Sequence, residues 1–289
     1  MDYIIKKISE TGADFPNCLR AIPSRPKELY LRGNLDLAAP CVAMVGSRIP
    51  SAYGKQACQE IAAGLSRAGV CVVSGMAPGI DTISHSTALE CGGKTIGVIG
   101  TGLDENSFFP KTNLDLAQKI VDTGGCLISE YPAGFRATNY SFPQRNRIIA
   151  GLSLAVIVIE AREKSGSLIT AEWGRKQHKM VFAVPGSIYS ANSKGCNQLL
   201  KNGAKACDSA EDVLKLLGIA PAMSKIAAAA GSAEEQKILD ALKDGALDID
   251  QIIIATKLPP QTVMGLITIM ELNNLIKNIE LNTYAIKSS

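Results

Sequence analysis

From residue 41 onward, short and wholly apolar runs alternate with amphipathic stretches. Cys41 to Val45, Val70 to Val73, Lys94 to Ile99, Cys126 to Ser129, Leu154 to Ile159 and Met180 to Val184 read as buried strands. Helical patterns at 53–68, 79–91, 112–122, 143–151 and 167–178 separate them. Strands that are apolar along their length and separated by helices predict a mostly parallel sheet covered on both faces, a doubly wound α/β domain. Residues 1–40, with Phe15-Pro16 and Ile22-Pro23, are too short and Pro-rich for a domain and are expected as a lead-in packed on that core. The domain then runs from 41 to 218, closing with the amphipathic segment Ser209 to Leu217, whose apolar stripe Val213, Leu214 and Leu217 either covers the sheet or forms a dimer seam.

An Ala-rich stretch with Pro and Ser, 219–233, reads as a linker. Beyond it, over 234–289, come helical patterns at 234–243, 248–256 and 260–273, followed by an alternating segment from Leu275 to Ile286. Three short helices closed by a β-ribbon predict a small winged-helix module.

Charge divides between these parts. Residues 1–232 hold 25 Lys/Arg against 19 Asp/Glu, a net +6, whereas residues 233–289 hold 5 against 8, a net −3. An anionic polymer is therefore favoured by the larger part. Eight cysteines stand singly, with no C-x-x-C pair and only two histidines, so they read as reduced core residues and no metal site is expected. No apolar run approaches the ~20 residues of a bilayer span, and the first residues, Met1 to Lys7, carry no signal-peptide pattern. A cytoplasmic protein with no membrane partner is expected.

Open parallel sheets bind ligands beyond the carboxyl ends of their strands, so the candidate chemistry is sought there. Gly46-Ser47-Arg48 follows the first strand without completing G-x-G-x-x-G, and no P-loop string occurs, which argues against dinucleotide and nucleoside-triphosphate sites. Arg48 at a strand end either meets a phosphate bidentately or is a solvated or structural arginine. The segment Phe142-Pro143-Gln144-Arg145-Asn146-Arg147 puts an aromatic beside two cations: the ring stacks a base while the cations hold phosphates, or Phe142 belongs to the core. Arg145 and Arg147, two apart on a helix start, cannot share one face, which leaves one of them open to a structural role. Ser165-Gly166-Ser167 precedes a helix and either approaches an anion or caps the helix. Asp81, His85, Glu130 and Glu160 are the acid–base candidates near these loops; Asp81 and His85 lie four apart and can face each other, but no nucleophile accompanies them, and no catalytic residue or cofactor is assigned.

The ordered series Gly46-Ser47-Arg48, Ser74-Gly75-Met76-Ala77-Pro78-Gly79-Ile80-Asp81, Gly100-Thr101-Gly102, Ile128 to Pro132, Phe142 to Ser153, Ser165 to Thr170, Val181 to Ser187 and Gly195-Cys196-Asn197 resembles the DNA-processing protein A (DprA/Smf) family from about Phe15 to Leu217. The resemblance implies an extended Rossmann-like fold that binds single-stranded DNA, forms a homodimer and loads the RecA recombinase on incoming DNA in natural transformation. It carries DNA contact to Arg48, Lys111, Phe142, Arg145, Asn146 and Arg147; Gly46, Ser47, Ser74, Gly75, Ser165, Gly166, Ser167 and Lys179 complete the candidate DNA-binding set. Pro78 stands where the family usually has arginine, and Asn139 where several members place a lysine, with Arg136 as a replacement cation. The rival reading is a nucleotide or sugar-phosphate enzyme of the related phosphoribohydrolase type, whose P-G-G-x-G-T-x-x-E segment does not occur here. Gln261 to Asn274, where a winged helix would read duplex DNA, contains neither Lys nor Arg, so the tail is expected to serve protein contact or packing.

Overall fold

The computed structural model describes residues 4–219, 233–243, 245–272, 275–280 and 282–286. The chain divides into two compact units, Met1–Pro221 and Ala222–Ser289. The expected linker at 219–233 lies, apart from its two end residues, outside the described residues.

The six apolar runs of the larger unit form β3 (Cys41–Val45), β4 (Cys71–Ser74), β5 (Thr95–Ile99), β6 (Cys126–Ser129), β7 (Ala155–Val158) and β8 (Met180–Ala183), all joined in parallel. Between them run α2 (Ala52–Arg67), α3 (Ile80–Glu90), α4 (Leu114–Asp122), α5 (Ser141–Leu152) and α6 (Gly166–Lys176), followed by α7 (Lys194–Lys201) and α8 (Ala210–Leu217). Successive strand residues feed opposite faces. Val42 and Met44 pack with Cys58, Ile61 and Leu65 of α2 and Val213 of α8, whereas Ala43 and Val45 pack with Ile148 and Ile149 of α5. Two covered faces explain why these strands carry apolar residues at every position. The apolar stripe of α8 is used in that cover: Val213 and Leu214 are buried beneath it and Leu217 packs against the same cluster.

The N-terminal lead-in is more integrated than its composition predicts. β1 (Lys6–Ser9) and β2 (Glu28–Gly33), with α1 (Asn17–Arg20) between them, extend the sheet antiparallel beyond β6, and β9 (Lys205–Ala206) adds a parallel edge beyond β8. The nine strands run in the order β1-β2-β6-β5-β4-β3-β7-β8-β9. The order reverses between β3 and β7, which opens a crevice at their carboxyl ends.

The smaller unit contains α9 (Ala233–Ala241), β10 (Leu247–Asp248), α10 (Ile249–Thr256), α11 (Pro260–Leu272), β11 (Ile276–Glu280) and β12 (Thr283–Ile286). The strands form one antiparallel sheet, β10-β12-β11, and Ile238, Leu239, Ile252, Val263, Ile267, Met270 and Ile276 make its core, a winged-helix arrangement. Asp248 and Gln251 close a reciprocal capping box at the start of α10. Among the described residues no single helix is long and apolar enough to cross a membrane, and no cluster of His, Cys, Asp and Glu could hold a metal ion. The cysteines are all free thiols; burial pushes Cys126, Cys196 and Cys207 up to about 12.

Candidate nucleic-acid interface

The crevice at the sheet's reversal point is a cavity of about 660 Å³. Its near wall is the turn after β3. The Ser47 hydroxyl donates to the carbonyl of Ile49 (2.9 Å) and accepts from the Ile49 N–H (3.1 Å), a local loop that directs Arg48 outward. Gly79 makes this turn possible: it sits at φ 84°, and a Cβ there would lie 2.4 Å from the Ser47 carbonyl oxygen. The N–H of Ile80 then donates to that same oxygen (3.1 Å), locking the Gly46–Arg48 turn to the start of α3.

Arg48 is exposed, with its guanidinium 6.0 Å from the ring centre of Phe142. Phe142, in the first turn of α5, is half-buried: a Cβ on Gly100 would stand 2.9 Å from its ring, so the strand-end glycine of β5 is the floor on which the ring rests. Phe109, 48% exposed, flanks it with ring centres 5.9 Å apart. An exposed guanidinium and two accessible rings thus share one rim. Phe109 escaped sequence reasoning because its neighbour Phe108 is the same residue type and is buried at 1% exposure.

The opposite wall is the start of α6. Ser165 caps it, accepting from the Ser167 N–H (3.3 Å), and the two hydroxyls lie 2.7 Å apart. Asn146 donates from Nδ2 to the Gly166 carbonyl (3.2 Å), tying α5 to this turn. Arg162 and Lys164, which the sequence did not single out, also line the cavity and are exposed. The lining carries four cations, Arg48, Arg145, Arg162 and Lys164, against one carboxylate, Asp81, and Asp81 is buried. The site's field is positive, and backbone N–H groups at the start of α6 add to it.

Several of the sequence-predicted residues turn inward or lie outside the lining. Both arginines of the α5 segment are internal, although the spacing left only one of them open to a structural role. Arg145 is 5% exposed and donates from Nη1 to the carbonyls of Gly75 (2.6 Å) and Val98. Burial, opposed by Asp81 and reinforced by Arg48, lowers its pKa to about 10. Arg147, 2% exposed, pairs with Glu130 (2.6 Å) and donates to the Ser24 carbonyl (2.6 Å), fastening α5 to β6 and to the N-terminal segment. Gly75 is buried against Arg145, and the hydroxyl of buried Ser74 donates to the Met44 carbonyl (2.5 Å). Lys111 is exposed but outside the cavity lining, bonded to the Glu105 carbonyl. Lys179 precedes β8 and so stands at the amino-end edge of the sheet, away from the crevice.

The acid–base candidates are each engaged separately. Asp81 accepts from the N–H groups of Gly75 (3.1 Å) and Ala77 (3.3 Å), and burial raises its pKa. His85 does not meet it. The His85 ring bonds through Nδ1 to the Thr95 hydroxyl (2.6 Å), which in turn donates to the Val72 carbonyl (2.6 Å), so Nδ1 carries the proton. Complete burial lowers the His85 pKa to about 3. Glu160 accepts from both the N–H (2.9 Å) and the hydroxyl (2.6 Å) of Ser51 at the start of α2.

Residues 6–218 match the DNA recombination-mediator protein A family, and residues 220–279 the DprA winged helix domain. The chain is 47% identical over 201 residues to DNA processing protein DprA of Streptococcus pneumoniae, covering 69% of this chain and 70% of that protein. Against the X-ray structure of DNA processing protein A from S. pneumoniae the TM-score is 0.69 at 44% identity, over 73% of this chain and 74% of that one. It is 41% identical over 231 residues to Protein Smf of Synechocystis, 78% of this chain but only 56% of that protein. A Helicobacter pylori DNA processing protein A, solved for its single-stranded DNA binding mode, matches with a TM-score of 0.66 at 31% identity, over 74% of this chain and 96% of that one.

Proposed function

This chain belongs to the DNA recombination-mediator protein A family, and on that premise we propose that it binds single-stranded DNA in the crevice beyond β3 and β7, as a homodimer that passes the strand to the RecA recombinase without cutting it. One observation carries the reading: an exposed Arg48 stands 6.0 Å over the half-exposed ring of Phe142 at the mouth of a cation-lined cavity. A single strand offers both a phosphate and an unstacked base face to such a pair, and every base has such a face, so the grip tolerates any sequence. Gly46, Ser47, Ser165, Gly166 and Ser167 supply the backbone turns that bring phosphates close, and Asn146 ties α5 to the start of α6. Arg145 and Arg147 act one layer behind, fixing α5 and hence Phe142 to the Gly75 and Val98 carbonyls and to Glu130, while Ser74 ties β4 to β3.

The test is a titration of fluorescent oligothymidylate at several salt concentrations with the wild-type chain and Arg48→Ala. Counterion release predicts log K falling linearly with log salt, and loss of one phosphate contact lowers the slope by about 0.7. Arg48→Ala is expected to weaken binding about tenfold for every base composition tried. Salt-independent binding, or unchanged affinity in the variant, rules out this mode. Release of free base from nucleoside monophosphates would replace it with the phosphoribohydrolase reading.

A further inference from the structure

A second, more open groove of about 380 Å³ shares Arg48 and Ile49 with the first cavity. It lies between the amino ends of α2 and α3, and its other walls include Pro50, Lys55 and Ile83. Two cations line it and no carboxylate does. Lys55 is exposed on the first turn of α2, with no ion pair among the described residues. Ile49 is 79% exposed, too open to contribute to the core, and Ile83 is half-buried.

We propose that this groove is the adjoining nucleotide subsite: the strand crosses Arg48, sets its next phosphate between Arg48 and Lys55, and lays the attached sugar and base on Ile49, Pro50 and Ile83. The inference rests on the single-strand reading of the first cavity and adds the direction in which the strand leaves it. Two features point to the same strand as occupant. Arg48 is common to both spaces, so a chain anchored at the Phe142 ring meets the second groove at the next residue. The groove also joins unpaired cations to an apolar wall, which matches a nucleotide's charged and uncharged parts; an isolated inorganic anion has no use for the wall.

The experiment compares a thymidine dinucleotide, whose single phosphate fills only the first site, with an oligothymidylate of about 16 nucleotides, long enough for both. It uses the full chain, with Lys55→Glu and Ile49→Ala as variants and thermal melting as the check on folding. Lys55→Glu is expected to weaken the longer oligomer about tenfold and to reduce its salt slope by about 0.7, while the shorter one changes less than about twofold. Ile49→Ala is expected to weaken the longer oligomer about threefold with the salt slope unchanged, because it removes contact area and no charge. If Lys55→Glu leaves the longer oligomer at wild-type affinity while Arg48→Ala weakens it, the subsite is overturned and the first cavity stands. Equal weakening of both lengths by Lys55→Glu also overturns the subsite, since Lys55 then acts through the general field. A wild-type chain that binds neither oligomer overturns the crevice reading and this one together.

Discussion

The two units of this chain both bury apolar faces, and both carry an element where nucleic-acid contact is expected, yet the elements differ in what they turn outward. In the larger unit the rim at β3 and α5 exposes Arg48 beside Phe142 and Phe109, with Arg162 and Lys164 lining the same cavity. In the smaller unit α11 turns out Gln261, Met264, Gly265, Thr268, Ile269 and Glu271. One face is cationic and aromatic; the other has no cation and ends on a carboxylate. A polyanion laid on that face of α11 would be desolvated with no Coulombic return, which argues against this helix as a DNA-reading element. The larger unit also maintains its rim with two buried cations, Arg145 and Arg147, whereas the buried charged residue among the described residues of the smaller unit is a carboxylate, Glu235.

That difference is exposed most strongly by Arg145→Ala. The substitution leaves the carbonyls of Gly75 and Val98 without their buried donor and leaves Asp81 without the cation that opposes its burial. A loss of about 3–5 kcal/mol is expected in the larger unit, read as a fall of roughly 10 °C in its melting transition, with the transition of the smaller unit unmoved. Arg48→Ala, by contrast, is expected to change binding and leave both transitions in place, because its side chain is exposed. A stable Arg145→Ala protein would mean that the buried layer does not support the rim.

The next effect is on acid stability. His85 is neutral in the folded state, with its pKa lowered by burial to about 3. In the unfolded chain it takes up a proton below about 6.5, so the stability it allows is fully present above that pH and is lost as pH falls toward 3. Between pH 6.5 and 5 the larger unit is expected to lose up to about 2 kcal/mol, at about 1.4 kcal/mol per pH unit. Asp81, whose pKa burial raises, titrates in the opposing sense as it takes up its own proton. The smaller unit contains no histidine. Urea unfolding at the two pH values, repeated with His85→Gln, checks the sign: the variant's larger unit is expected to lose less on acidification than the wild type's, and an equal loss in both would assign the acid sensitivity elsewhere.

The legibility of this molecule follows burial. The six parallel strands were readable because both faces of each are covered, which leaves an uninterrupted apolar run. β1, with sequence Lys-Lys-Ile-Ser, and β2, with Glu28 and Arg32, were not, because edge and near-edge strands keep charges that a run-based reading takes for loop. At the crevice, the structure places Arg48 in a turn and Phe142 at a helix start, where their residue types led the sequence reading to expect them. The Arg145–Arg147 pair misled for a specific reason. A spacing of two does place them on different sides of α5, but that helix is covered on both, by β4 and β5 on one side and by the Glu130 and Ser24 region on the other. Helical spacing separates directions; it does not say which directions are occupied. Lys55, Arg162 and Lys164 carry no motif, and only the folded turns reveal that they border the same spaces as Arg48.

The smallest expected effect tests the other half of the comparison. Met264 and Ile269 are 57% and 48% exposed on α11, so lysine at either position is solvated and the apolar core of Val263, Ile267 and Met270 stays intact. If α11 lay in a DNA groove, two added cations would increase duplex affinity and steepen its salt dependence by close to two contacts, a slope change of about 1.8. If instead the strand is held only by the larger unit, Met264→Lys with Ile269→Lys leaves oligothymidylate affinity within about twofold and the slope within about 0.3. Adding charge is the sharper test than deletion, since a face that makes no contact with nucleic acid has nothing to lose but would register any hidden proximity as a gain.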